Sequence, residues 1–379
     1  MKQIYWPYII AAYLALLSFG LLDNIRGPFF PNIITDLNLR DDNASWFFAL
    51  TSIIAFFGSY WAPKIQEIIG ALQGLRLALF LIAIGIFSAS FSHSLSSLLM
   101  CSAVFGMGMG LLQVYEHICI QEGATPQLRR RLFNGLHSFY AAAALMAPLT
   151  AAFILGRGES WRLGFQWVSI LPMLTFIYVL FVKRLDVTTE KTKWLKATGK
   201  ELYHMLFLAV VLSLYVTAEL SISTRLVLYV QRTTEISAAQ STWYLTAFFA
   251  CLLFGRILST VFAFEKLSSR QIILLALSCS FVFYVLGLIL SPWWLALCGL
   301  SMAPIFGVTM DYIAHSFPEK SAHGISLAFA VGSILIVSMH YFVGLITRWY
   351  GIEKALILGP LFIATSFLLL INEKKLFAV

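Results

Sequence analysis

Residues 45–58 read SWFFALTSIIAFFG, and residues 242–255 read TWYLTAFFACLLFG. Each opens on a hydroxyl residue and a tryptophan, runs through apolar residues, and closes on glycine. Trp46 precedes Gly58 by twelve residues, as Trp243 precedes Gly255. The two stretches are 197 residues apart. Nearly the same offset carries Asp23 to the side of Glu219. Each half of the chain therefore has an acid in its first apolar run. Two matches in register point to a duplicated unit, because chance similarity between greasy stretches has no reason to keep one offset.

Outward from these stretches the composition names the solvent. Of 379 residues, 60% are hydrophobic and 12% are charged, about half the charge of a soluble domain. The 32 Phe, 15 Tyr and 10 Trp sit mostly inside apolar runs, and a soluble chain of this size has too little interior to hide them. The reading is an all-α polytopic membrane protein. Its net charge of +8 does not signal nucleic acid, because the basic residues lie in short gaps between apolar segments, where orientation in the membrane selects them. Cys101, Cys119, Cys251, Cys279 and Cys298 all lie in apolar segments without a CxxC, so they read as small hydrophobes. The opening MKQIYWPYIIAAYLALLSFG has no small-residue cleavage pattern and runs straight into more apolar sequence, so it reads as a retained first span.

At about 20 residues per crossing, twelve spans fall near 5–34, 43–65, 70–91, 95–121, 131–156, 161–182, 203–230, 238–262, 270–290, 293–315, 321–347 and 351–371. The domain reading is a six-helix bundle over 1–182, a polar linker over 183–202, and a second six-helix bundle over 203–379. With the N-terminus inside, sixteen Lys and Arg fall in inner segments and six in outer ones. That bias sets both termini in the cytoplasm. The expected location is a bacterial inner membrane. Parallel repeats of six helices are a building plan of alternating-access carriers.

Charge in hydrocarbon costs several kcal/mol, so an acid or base kept there faces a cavity or a partner. In SFGLLDNIRGPFFP (18–31), Asp23 and Arg26 are three apart on one helical face, positioned to pair, and Asn24 adds hydrogen-bonding capacity. Gly27, Pro28 and Pro31 should loosen or bend that helix. The plainer alternative is a helix end with Arg26 snorkelling to an interface. In GMGMGLLQVYEHICIQEG (106–123), three glycines permit close helix contact, and Gln113, Glu116 and His117 follow. Glu116 is a proton-exchange candidate, with an end salt bridge as the alternative. In RRRLFNGLHSFYAAAALMAP (129–148), Asn134 and His137 are again three apart, fit to hold a solute or to lock two helices. In LYVTAELSISTRLVLYV (214–230), Tyr215, Glu219 and Ser223 step along one stripe. Arg225, six residues beyond Glu219, is too far for a simple helical pair. Arg256 and Asp311 are expected to pair as a gate or structural network. Trp46 and Trp243 read by default as interfacial anchors.

These stretches together resemble the major facilitator superfamily, and in detail its fucose:proton symporter group. The likeness is carried by FGLLDNIRGPFFP in the first span, LFNGLHSFYAAAALMAP in the fifth, YVTAE in the seventh, WYLTAFFACLLFGR in the eighth and GLSMAPIF in the tenth. It covers essentially the whole chain. It implies two pseudo-symmetric six-helix bundles, and it places Asp23 on a residue tied to proton coupling and sugar-dependent transport. The group's fourth-helix carboxylate falls near Leu112 and Gln113, so Glu116 lies about one turn further on. Between the second and third spans GSYWAPKIQEIIGALQG (58–74) keeps Gly58 and Gly70 of the superfamily pattern and lacks its acid.

The expectation is a proton-coupled secondary carrier for a small polar, sugar-like solute. Proton coupling is expected from Asp23, Glu116 and Glu219. Substrate contacts are expected from Asn24, Arg26, Gln113, Asn134, His137, Tyr215 and Glu219. Arg225, Arg256 and Asp311 are expected to form the gate or structural network. No Walker motif, clustered metal-ligand motif or serine elbow occurs, so neither an enzyme nor a cofactor is expected. The expected partners are a solute, protons and lipids, with the chain acting as a monomer. A carrier for a drug-like amphiphile or siderophore stays open, as does a non-transporting receptor or scaffold.

Overall fold

The computed structural model describes residues 4–184, 199–262, 267–317 and 320–377. The side chains of 126–131, 133, 134, 137, 138, 260–262, 314, 321–323, 325 and 326 lie outside that description. Among the described residues there is no strand. The helices are α1 (Trp6–Asp36), α2 (Asp41–Ile69), α3 (Ala71–Ala89), α4 (Leu95–Gly123), α5 (Pro126–Gly156), α6 (Trp161–Phe181) and α7 (Gly199–Thr234). They continue with α8 (Ala238–Phe262), α9 (Ser269–Ile289), α10 (Trp293–Ser316), α11 (Ser321–Tyr350), α12 (Ile352–Ala355) and α13 (Leu358–Phe377).

Local chemistry sets several of these ends. Ser94 and Ser97 form a reciprocal capping box at the start of α4, and Ser268 with Gln271 does the same for α9. Such boxes satisfy backbone donors that the first turn leaves open. Gly70, at φ +82°, lets the chain turn from α2 into α3 where a β-carbon would be strained. α1 runs unbroken through Pro28 and Pro31 to Asp36. At 1.5 Å per residue its 31 residues span about 46 Å, more than the hydrocarbon thickness of about 30 Å. The last span differs from its expected single run: it is the short α12 followed by α13, and together Ile352–Phe377 are long and apolar enough to cross. Among the described residues twelve such segments occur.

The surface fits a lipid solvent. Phe181, Met100 and Ile289 are 81%, 73% and 71% exposed, which water would penalise and acyl chains do not. Trp46 and Trp243 are also exposed near the starts of α2 and α8.

The described chain divides into two compact units. One takes in α1–α6, and the other takes in α7–α13 apart from Ala238–Trp243 at the start of α8. Within the first, α1 packs on α4, α5 and α6, and α3 packs on α4 and α6. Within the second, α7 packs on α10, α11 and α13, and α9 packs on α10 and α13. The two packing schemes are the same once the offset is applied. Glycine contacts repeat it atom by atom. A β-carbon on Gly58 would stand 2.8 Å from the Met107 carbonyl, and one on Gly255 would stand 2.8 Å from the Leu300 carbonyl. Likewise Gly106 lies against the Thr51 carbonyl, and Gly299 against that of Phe248. In each unit the second helix therefore meets the fourth at backbone distance, through small residues.

Arginines repeat as well. Arg76 on α3 donates to the carbonyls of Val179, Leu180 and Val182 at 2.9–3.1 Å. Arg270 on α9 donates to those of Leu370 and Ile371, with Nη2 3.0 Å from each. Both donate to carbonyls at the last helix of their unit and so tie the third helix to the sixth-span helix. The chain is thus an all-α polytopic protein of two pseudo-symmetric bundles.

Candidate functional site

In the first unit the polar groups gather around Asp23. Arg26, one turn on, ion-pairs through Nη2 with Asp23 Oδ1, and its Nε donates to the Asp23 carbonyl at 3.2 Å. Its Nη1 donates to Thr51 Oγ1 of α2 at 3.1 Å. From α5 the Tyr140 hydroxyl donates to Asp23 Oδ2 at 3.2 Å, and the Asn24 amide donates to that same hydroxyl oxygen at 3.2 Å. Asn24 also donates to the Gly20 carbonyl at 2.8 Å. The expected Asp23–Arg26 pair is present, and Arg26 does not snorkel. It is 5% exposed. The rings of Phe47, Phe48 and Phe105 stand 5.6, 5.1 and 4.9 Å from its guanidinium carbon. With its donors turned to Asp23 and Thr51 and its faces against rings, Arg26 reads as a fixed counter-charge more than as a solute ligand. Asp23 and Asn24 are half-buried.

In the second unit the Tyr215 hydroxyl donates to Glu219 Oε2, one turn away on α7. The hydroxyl also lies 3.2 Å from the Met302 carbonyl of α10. Tyr215 is fully buried, while Glu219 is half-buried. Arg256 on α8 stands close enough to act electrostatically on the Tyr215 hydroxyl. Each unit therefore holds a carboxylate on its first helix, bonded by a tyrosine hydroxyl, with an arginine in the same neighbourhood. Such a carboxylate can take up or release a proton while staying hydrogen-bonded.

The other expected residues fall less neatly. Glu116 is 2% exposed; its Oε1 lies 3.5 Å from His117 Nδ1, and its Oε2 has no hydrogen-bond partner. His117 Nδ1 itself bonds the Gln113 carbonyl at 2.8 Å. Asn134 and His137 lie on α5 with side chains outside the described ones. Arg225 is fully buried in α7, and Ser223 donates to the Leu220 carbonyl at 3.3 Å rather than joining Glu219. The expected Arg256–Asp311 pair is not formed. Asp311 pairs with His315, one turn on along α10, at 3.2 Å and is about half exposed.

Several functional-looking groups escape a reading of the sequence. Tyr140 and Thr51 complete the Asp23 cluster. Tyr140 has a signal, lying three residues beyond His137 on the same face; Thr51 has none. At one end of the second unit Glu373 is fully buried and collects His204, Tyr312 and Arg270. At the loop-α1–α2 end of the first unit, Asp36 Oδ2 accepts from Arg162 Nη2 at 2.6 Å and from Trp161 Nε1 at 3.1 Å. Among the described residues no cluster of three or more metal-ligating side chains occurs.

The model of the Major Facilitator Superfamily matches residues 12–334. A Protein TsgA homolog of Buchnera aphidicola is 23% identical over 361 residues, covering 93% of this chain and 91% of its own. A solved bacterial homolog of the human lysosomal transporter Spinster, inward-facing and unoccupied, superposes with a TM-score of 0.78 at 14% identity, covering 98% of this chain and 97% of its own. A D-xylose-proton symporter superposes with a TM-score of 0.76 at 15% identity, covering 96% and 97%. At these identities the solved structures speak to fold alone, and that fold is the one built above from repeated glycine contacts and twelve apolar helices. With the family model spanning most of the chain, the protein belongs to the Major Facilitator Superfamily and is a membrane transporter.

Proposed function

We propose that the chain is a proton-coupled secondary carrier that moves a small polar, sugar-like solute by alternating access, from a bacterial inner membrane with both termini in the cytoplasm. The observation that carries this is the pair of half-buried carboxylates, Asp23 and Glu219, one on the first helix of each repeat, each bonded by a tyrosine hydroxyl. A charge kept in an apolar helix needs a role that repays its desolvation. Proton uptake is such a role, since a charge crossing 100 mV yields about 2.3 kcal/mol, roughly a fifty-fold gradient of solute. Asn24, Gln113, Asn134, His137 and Tyr215 supply amide, imidazole and hydroxyl groups that suit the hydroxyls of a sugar, and Glu116 is a further proton site.

The test is counterflow in proteoliposomes across sugars, siderophores and lipophilic cations, with and without a pH gradient. Saturable exchange of a sugar-like solute, turned into accumulation by an inward proton gradient, is the expected result. Exchange confined to amphiphiles would replace the solute class, and exchange of nothing would remove the carrier reading.

A further inference from the structure

The repeat breaks where α9 meets α10. In the first unit two glycines let α3 and α4 close on each other. A β-carbon on Gly85 would stand 2.6 Å from the Phe105 nitrogen, and one on Gly108 would stand 2.7 Å from the Ile82 nitrogen. At the 197-residue offset these positions are Val282 and Ile305, and residues 270–286 of α9 contain no glycine. α9 and α10 still meet at one end, where Gly287 lies against Leu295, and midway, where the Ser280 and Ser301 hydroxyls are 2.8 Å apart. Beside that contact a groove of about 260 Å³ stays open between the two helices. Ile272, Leu275, Cys279 and Phe283 of α9 form one wall, and Leu300 and Pro304 of α10 form the other. Pro304 lacks the N–H that would bond the Leu300 carbonyl, so the helix ladder is interrupted in the wall of the groove.

We propose that this groove is a binding site for one acyl chain of a membrane phospholipid, which braces α10 at Pro304. The lining disfavours water, because a buried water needs two to four polar partners. Ser301 supplies the one hydroxyl of the described lining; it is already bonded to Ser280 and to the Cys298 carbonyl at 3.1 Å. An empty groove would forfeit dispersion contacts along both walls, so an apolar occupant is favoured. Shape and position select a lipid chain. From Ile272 to Phe283 the lining follows α9 for about 16 Å, close to one leaflet's share of a hydrocarbon core of about 30 Å. Leu275 and Cys279 are exposed, so the groove opens outward. Its foot at Leu267 adjoins Ser268, which with Gln271 caps α9 and places polar atoms where a headgroup lies. Lipid tails are as apolar as leucine, so transfer from water does not hold the chain. Contact with two helix walls does, where a single helix face offers one.

The experiment locates the chain directly. The full protein is reconstituted with phosphatidylethanolamine carrying a diazirine midway along one acyl chain, and adducts are mapped by mass spectrometry after illumination. Adducts within 272–283 and 300–304 should exceed those at Met100 and Phe181, exposed positions of the first unit, by about ten-fold, the weight of some ten additional atom contacts. Cys279→Phe fills the groove. Its groove adducts should fall to the Met100 level, and the rise in unfolding midpoint that added phospholipid gives the parent in detergent should shrink. Should that variant fail to fold, Cys279→Leu is the smaller filler with the same expectation. Equal adducts in the groove and at Met100 and Phe181 of the parent overturn the proposal, because ordinary boundary lipid then accounts for both. Labelling of Cys279 by a water-soluble maleimide, assigned by its loss in Cys279→Ser, overturns it in favour of a wet groove. Disulfide-linked dimers through Cys279 overturn it in favour of a second copy of the chain. None of these readouts involves transport, so they stand apart from the carrier reading.

Discussion

His204 on α7 donates through Nε2 to Glu373 Oε1 on α13, 2.8 Å away and 169 residues along the chain. Tyr312 of α10 places its hydroxyl 3.0 Å from both carboxylate oxygens, and Arg270 of α9 brings Nε within 3.5 Å of Oε2. His204 is stacked on Phe377, with ring centroids 4.4 Å apart. One fully buried carboxylate thus joins four helices. Arg270 also ties down the carbonyls of Leu370 and Ile371, as Arg76 ties down the end of α6, so the second unit adds an acid to a device the repeat already had.

Removing that acid leaves Arg270 short of its charge partner in a largely dry place. Glu373→Ala is expected to destabilise the protein by about 3–5 kcal/mol, the usual penalty for breaking a buried pair from one side. Glu373→Gln, which keeps two acceptor-donor contacts, should cost less. Detergent-unfolding midpoints measured on both variants check this. Equal midpoints for Glu373→Ala and the parent would show that the cluster bears no weight.

The fold was legible because hydrocarbon imposes it. Length and apolar content mark each span, and the Trp–Gly spacing marks the repeat without any knowledge of contacts. Sites confined to one helix were legible for a similar reason: Asp23 with Arg26, and Tyr215 with Glu219, pair at three- and four-residue steps. What joins distant helices was not. The rings around Arg26 come from α2 and α4, in stretches that read as ordinary membrane sequence. Glu373 sits in INEKK, which looks like a solvated tail, and only the packing of α13 on α7 turns it inward. Asp311 pairs instead within its own helix, with His315 one turn on.

Duplication makes a quantitative claim on the glycines. Gly58 and Gly255 occupy the same place in their units, each facing a backbone carbonyl that would lie 2.8 Å from an added β-carbon. A backbone atom cannot rotate away, so Gly58→Ala and Gly255→Ala should each cost about 1–3 kcal/mol. Gly307, where an added β-carbon meets nothing within 4 Å, is the control, and Gly307→Ala should be neutral or slightly stabilising. Unfolding midpoints for the three variants separate close packing from general intolerance of change.

Asp23 and Tyr140 differ in what their loss removes. Asp23→Asn removes the ionisable group and should abolish accumulation driven by a proton gradient while leaving solute exchange. Tyr140→Phe removes the hydroxyl's bond to the Asp23 carboxylate and its bond from Asn24. A hydrogen bond to a charged group is worth about 1.5–3 kcal/mol, so accumulation should fall by about ten-fold or more without vanishing. Paired measurements of counterflow and gradient-driven uptake distinguish the two. Accumulation unchanged in Asp23→Asn would take that residue out of the coupling step.

Glu116 offers a sharper contrast between charge and structure. Among the described residues its one ion-pair neighbour is His117, 3.5 Å away and partly exposed, and its second oxygen is buried without a hydrogen-bond partner there. An acid retained for stability would have better company, since an unsatisfied buried acceptor costs about 1–3 kcal/mol. Glu116→Gln keeps the shape and removes the titratable proton. Its unfolding midpoint should therefore be no lower than that of the parent, whereas the pH dependence of uptake should flatten. A stability loss of several kcal/mol would reveal a structural ion pair instead, and an unaltered pH profile in a stable variant would confine proton exchange to Asp23 and Glu219.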